Sequence, residues 1–254
     1  MKDPYLYPHT ELLKNLANIQ DENMLSCMEA EYTSLRLAEL VMKESASCFD
    51  FMALCEVHFY IFQDIYEWAG KKRVVNIEKA EPALGGISIE YSDWQEIEKD
   101  ADEILDAMNQ YPWDTVSLEM CAESFTGFLA ALWKVHPYRE GNTRTVVTFC
   151  SQFIESKGFY IDSDLFKDNA QYMRTALVAA SAVFHDLGDR RNKEYLNNIV
   201  LDALEHGHKM KNRISDAIEK AGFRATEERI REIVYWNRLE QREHEVEEIQ
   251  LYLL

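Results

Sequence analysis

The chain has 254 residues, 47% of them hydrophobic and 12% aromatic, with nine glycines and five prolines, which favours a sizeable helical core over disorder or a strand-and-turn protein. Its 45 acidic against 27 basic residues give a formal net charge of −18, arguing against a nucleic-acid partner bound along its phosphates and against polybasic membrane contact. No apolar stretch reaches the ~18 residues of a membrane span and the first residues carry no apolar signal core, so the expectation is a mainly α protein of the cytoplasm.

In chain order, Asp21 is a cap candidate, and Leu25, Met28, Tyr32, Leu35 and Leu40 recur at helical intervals behind it, predicting a long first helix. The run from Asp50 to Gly70 is apolar around most of its circumference, between a cap residue and a glycine stop; it predicts a buried helix. The pattern then changes. The β-prone runs RVVNI and GISIEY flank Pro82 and the Gly85-Gly86 pair, which predicts a small β-hairpin. An isolated hairpin is marginally stable and needs support or a partner.

Helices resume with DWQEIEKDADEILDAMNQ and with SLEMCAESFTGFLAALWKV, whose Leu118, Cys121, Phe125, Phe128, Leu129 and Leu132 form an apolar stripe. TVVTFCSQFIESKG predicts a further apolar helix ended by Gly158. NAQYMRTALVAASAV and KEYLNNIVLDALEHGHKMKN read as helices around a break at DLGDRR, and the charged remainder as two or three helices with solvated faces. Gly207 to Asn212 is the best boundary candidate, dividing a main domain over 1–205 from a helical C-terminal extension over 206–254. The five cysteines are an odd number without a CxxC pair and read as reduced core side chains. His206 and His208 lack the further ligands of a structural metal site.

Between two of these helices stands HPYREGNTR, His136 to Arg144. Gly141 can take the backbone geometry that turns N–H groups toward an anion, and Asn142 can open a helix whose N-terminus attracts phosphate. Arg144 would add a planar donor fork. Glu140 suits Mg²⁺, because phosphate-bound magnesium usually takes only one or two protein carboxylates. His136 could accept a proton from an attacking hydroxyl. These residue types suggest phosphoryl or nucleotidyl transfer; the alternative is a loop of satisfied polar side chains. No Walker loop, kinase glycine loop or GxSxG motif competes.

At these residues the chain resembles the Fic (filamentation induced by cAMP) family, whose motif is HxFx[D/E]GNGRxxR. KDPYLYP and YIFQDIYEWAGKKRVVNI, Tyr60 to Ile77, are similar to stretches preceding that motif in bacterial members. The resemblance implies a Fic-type helical core with a small β-hairpin flap and C-terminal helices. It implies transfer of AMP from ATP to a Ser, Thr or Tyr hydroxyl of a target protein, with Mg²⁺ as cofactor. His136 would be the general base, Glu140 the metal ligand, and Gly141, Asn142, Thr143 and Arg144 the donor-phosphate residues, with Asn169 as a further nucleotide contact. The hairpin at Lys79 to Tyr91, with Gly85, Gly86, Ile87 and Ser88 at its tip, would be the flap that captures the target by strand addition. Self-modification and an antitoxin-like inhibitor are further partners the family implies.

Three positions depart from the motif. Tyr138 stands for Phe, Thr143 for the second glycine, and Val147 for the final arginine. The related Doc kinases carry Lys in place of Thr143 and transfer the γ-phosphate, so the orientation of the donor stays open. In autoinhibited members the final arginine pairs with a glutamate from a [ST]xxxE[GN] helix. Ser215 and Glu219 match part of that pattern. Transfer of another phosphate-containing group, a catalytically weak protein-binding module, and a small helix-turn-helix reader after Lys209 are the rival readings.

Overall fold

The N-terminal segment packs before any helix begins. Tyr5 is buried edge-on against Trp68, with ring centroids 5.3 Å apart, and Asp3 pairs with Arg139 at 2.8 Å. The computed structural model describes residues 3–41 and 48–234. Helix α1 (Glu22–Val41) starts where Asp21 Oδ1 accepts the Met24 N–H at 2.9 Å, satisfying one of the donors a helix start leaves unpaired. It buries Leu25 and Leu40 and leaves Tyr32 and Leu35 exposed.

Helix α2 (Phe51–Phe62) is capped by Asp50, which accepts the Ala53 N–H at 2.8 Å. It is shorter than the sequence pattern predicts. Beyond Phe62 the chain continues as turns to Gly70, whose φ is +76°. The apolar residues of those turns serve an aromatic stack, Tyr66 on Trp68 at 4.4 Å, instead of a helix face. Tertiary packing here overrides local propensity.

Residues 71–92 reverse direction without forming regular strands. Glu81 N–H reaches Ile87 O at 3.4 Å and Gly86 N–H reaches Glu81 O at 3.0 Å around a short 3-10 turn, Pro82–Leu84. Pro82 removes a ladder donor and both glycines take positive φ, so the reversal is a looped flap. Part of its support comes from elsewhere: Glu90 N–H donates to Val183 O at 3.0 Å.

Helices α3 (Ile97–Gln110), α4 (Leu118–Val135) and α5 (Asn142–Ser156) follow, then the short α6 (Asp164–Asp168), α7 (Ala170–Ala180) and α8 (Glu194–Lys220). The regular ladder spans the end of a predicted helix and the predicted break: β1 (Val183–Phe184) pairs antiparallel with β2 (Gly188–Asp189), which alone lies within DLGDRR, around a turn. Helix α4 lies at the centre, packed on α3, α5, α7 and α8. Its Cys121, Phe125, Leu129 and Leu132 are at most 1% exposed, while Leu118 and Phe128 are partly buried. Each large apolar side chain so buried contributes roughly 1.5–3 kcal/mol. The central position of α4 fixes the loop that leaves its C-terminus.

Helix α8 runs unbroken through Gly207, where a Cβ would collide with the Tyr160 carbonyl. That glycine permits close helix packing, and a division at 205/206 falls inside one helix. A second small apolar cluster, Tyr160, Ile214, Ile218, Ile230 and Val234, joins the end of α8 to a helix that starts at 227. The helices predicted beyond 234 lie outside the described residues. Among the described residues no helix is long and apolar enough to cross a membrane.

Candidate active site

Helix α4 ends at His136, a residue in the left-handed region at φ +51°, ψ +59°, with its N–H on Trp133 O at 3.1 Å. Such a conformation in a non-glycine residue is costly and persists only where the surroundings hold it. Arg73, fully buried, does so: its Nε donates to His136 O at 2.9 Å and its backbone N–H to Pro137 O at 2.8 Å. The same guanidinium donates to Val75 O at 2.8 Å and to Ser92 O. It thereby ties both limbs of the flap to the loop. Burial draws its pKa down to about 10, so it remains a cation at neutral pH.

The loop closes on itself. Asn142 Oδ1 accepts the Tyr138 N–H at 2.9 Å and its Nδ2 donates to Tyr138 O at 2.8 Å. Tyr138 is completely buried and stacks on His58 at 3.8 Å. Since His58 Nδ1 accepts the Gly70 N–H at 2.8 Å, its Nε2 carries the proton and donates to Glu140 O at 3.1 Å. Burial pulls the His58 pKa to about 3, keeping it neutral. Gly141 precedes α5 at φ +83°, with no side-chain cap on the helix start. A Cβ there would strike the buried Phe62 ring, so glycine is required for close approach as well as for conformation.

One cavity of about 170 Å³ gathers Lys79, His136, Glu140, Gly141, Asn142, Thr143, Arg144, Ala170 and Arg174. His136 is 1% exposed and neither ring nitrogen has a hydrogen-bond partner. Burial, then Lys79, Arg73 and Arg174, push its pKa well below the usual imidazole range. The flap covers it: Tyr91 stacks on the imidazole at 4.1 Å. The Tyr91 hydroxyl donates to Glu81 at 3.2 Å, and Glu81, 1% exposed, also takes Arg174 at 2.8 Å.

Glu140 Oε1 accepts the Gly141 N–H at 3.0 Å and Oε2 the Lys79 ammonium at 2.9 Å. Burial works to raise its pKa, but Lys79, the Gly141 N–H and Arg144 outweigh it and bring it to about 2. Arg144 lies over the Phe62 ring at 5.0 Å, donates to Thr33 Oγ1 at 2.9 Å and pairs with Glu29 of α1. Thr143 turns its hydroxyl to the Trp133 indole N–H at 3.0 Å. Val147 packs partly buried against the core.

The predicted residues therefore divide. His136, Glu140, Gly141, Asn142, Thr143 and Arg144 share the cavity, whereas Asn169 is spent on Leu165 O at 2.9 Å, outside the lining, with its neighbour Ala170 inside it. Gly85, Gly86 and Ile87 are exposed at the flap tip, and Ser88 Oγ accepts the Lys79 N–H at 3.1 Å. Ser215 and Glu219 are not among the lining residues. They sit on the part of α8 that packs against Tyr160, beyond the C-terminal end of α5, and α5 is about 22 Å long. Sequence reasoning missed Glu29, His58, Arg73, Glu81, Tyr91 and Arg174. Arg73, Glu81 and Tyr91 lay in stretches already singled out, the segment Tyr60 to Ile77 and the hairpin Lys79 to Tyr91, but without a role assigned to them.

A carboxylate that already holds a cation, beside an open helix N-terminus, suits Mg²⁺ bound together with phosphates. Among the described residues no group of three or more His, Cys, Asp and Glu could hold an ion without such help.

A buried histidine, a helix start lacking a side-chain cap and a carboxylate gathered around one cavity on a helical scaffold are the parts a phosphate-handling site requires. The chain belongs to the Fic/DOC family, whose model matches residues 48–154. It is 32% identical over 164 residues to a probable protein adenylyltransferase, y4lH, of Sinorhizobium fredii, covering 64% of this chain and 80% of that one. It is also 32% identical over 166 residues to the protein adenylyltransferase VbhT of Bartonella schoenbuchensis, covering 64% of this chain but 33% of that longer one. Among solved structures, BepC of Bartonella tribocorum with bound AMPPNP superposes with a TM-score of 0.64 at 22% identity, over 78% of this chain and 95% of that one. The fold is the helical Fic core.

Proposed function

We propose that the chain is a protein adenylyltransferase that moves AMP from ATP to a Ser, Thr or Tyr hydroxyl of another protein. One observation carries the reading: the unpartnered, neutral imidazole of His136 faces the same cavity as the α5 N-terminus and Glu140. The target oxygen bonds to the α-phosphorus, the bond from that phosphorus to the bridging oxygen breaks, and pyrophosphate leaves. His136 takes the hydroxyl proton. The N–H groups after Gly141 and the Arg144 guanidinium bind donor phosphates, and Asn142 holds the loop in the shape that presents them. Bound Mg²⁺, held by Glu140, would neutralise phosphate charge.

The names of the curated relatives support AMP as the group transferred. Thr143 is compatible with this reading because its hydroxyl oxygen accepts the Trp133 indole N–H and keeps its own proton to donate to a phosphate oxygen. Access to the base requires Tyr91 to move, since its ring covers the imidazole. The tip at Gly85, Gly86, Ile87 and Ser88, exposed at its first three residues, is the proposed target contact. The N–H groups of Gly85, Gly86 and Ile87 are bonded within the turn, so strand addition there would draw on the edge groups that remain. Incubation with MgATP followed by intact-mass spectrometry tests the assignment. A gain of one AMP on the chain or on a substrate protein is expected; a gain of one phosphate would refute it.

A further inference from the structure

Each cation that lines the cavity is already held by a carboxylate: Arg144 by Glu29, Arg174 by Glu81 and Lys79 by Glu140. All three carboxylates accept a second donor from outside the pair: Glu29 the Tyr66 hydroxyl, Glu81 the Tyr91 hydroxyl at 3.2 Å and Glu140 the Gly141 N–H at 3.0 Å. The third pair differs in the role its carboxylate is given. Glu140 is the carboxylate that the proposed function gives to Mg²⁺, and the ammonium of Lys79 sits on its Oε2 at 2.9 Å. A divalent ion on that carboxylate would meet the ammonium at close range, where like charges repel strongly. Lys79 has a flexible four-carbon stem and three rotatable donors, so it can turn away. The anions that arrive with the metal are the acceptors it can turn to.

We propose that Lys79 is a movable counter-ion, holding Glu140 in the nucleotide-free protein and passing to the donor phosphates when the metal–nucleotide takes that carboxylate. The proposal rests on the donor-site reading above. It makes Lys79 a barrier to metal alone and a contact for metal with nucleotide. Its backbone N–H is held at 3.1 Å by Ser88 Oγ, so the exchange also reports donor occupancy to the limb of the flap that faces the target.

The two roles have opposite signs in one substitution, which separates them from a structural role. Mn²⁺ alone, followed by its electron spin resonance signal, and Mg²⁺ with α,β-methylene ATP, followed by calorimetry, are titrated into wild type, Lys79→Met, Lys79→Arg and Glu140→Gln. Lys79→Met should bind Mn²⁺ alone about 5-fold more tightly and the magnesium nucleotide about 5-fold more weakly, the size of one partly exposed ion pair. Lys79→Arg should restore nucleotide binding, and Glu140→Gln should lose Mn²⁺. Shifts of the same sign, or no shift, in a Lys79→Met protein that melts like wild type overturn the counter-ion role. A wild type that binds no magnesium nucleotide would instead remove the donor site itself, and the proposal with it.

Discussion

Gly141→Ala tests whether the loop is preorganised by the packing described. An alanine at φ +83° enters the left-handed region at a cost of about 1–2 kcal/mol. Its Cβ would overlap Phe62 Cε2 and Cζ and lie 3.1 Å from Cδ2. That ring cannot swing aside easily: it is fully buried, stacked on His58 at 4.8 Å and covered by Arg144 at 5.0 Å. Overpacking of this kind costs about 1–3 kcal/mol. The two contributions sum to about 2–5 kcal/mol, or a fall in Tm of roughly 4–20 °C for a chain of this size. Thermal melts of Gly141→Ala with and without Phe62→Leu, which removes the struck Cε and Cζ atoms, separate the parts. The steric share should vanish in the leucine background and the backbone share should stay. An alanine variant that melts like wild type would refute the close approach of Gly141 to Phe62.

Glu29→Ala should free Arg144 for the donor and raise magnesium-nucleotide affinity about 5-fold, the scale of a partly exposed pair; unchanged affinity in calorimetry would show that Arg144 is not a phosphate ligand. Stability should fall with acid through His58. Its folded pKa of about 3 lies below the 6.5 of a free imidazole, so the unfolded chain binds the extra proton. Stability is full above pH 6.5 and drops by about 1.4 kcal/mol per pH unit from this residue as pH falls toward 3. Denaturation between pH 6.5 and 4 should lose that share of its slope in His58→Gln, and an identical slope would contradict the neutral, buried tautomer.

The motif loop could be read because its information is local. The turn residue Gly141 and the helix start at Asn142 lie side by side, and caps such as Asp50 announce their helices directly. What escaped is contact across the chain. The partners that complete the site are 115 residues apart for Arg144 and Glu29, 61 for Glu140 and Lys79, and 82 for Glu140 and His58. Nothing in either local stretch marks them as a pair. The flap shows a different failure. Its β-prone runs specify a reversal, but Pro82 and the paired glycines prevent a ladder, while the regular strands form from VF at the end of a predicted helix and GD in the predicted break. Gly207 likewise has the appearance of a boundary, and only the Tyr160 carbonyl beside it explains it as a packing glycine.

The most direct test of the central claim uses Mg²⁺ and ATP labelled at the α- or the γ-phosphate, with wild type and His136→Ala, reading label retained on protein. Label from the α-phosphate alone, lost in His136→Ala while nucleotide binding persists, is the predicted result. Label from the γ-phosphate, or α-label that survives loss of His136, would contradict AMP transfer by this base.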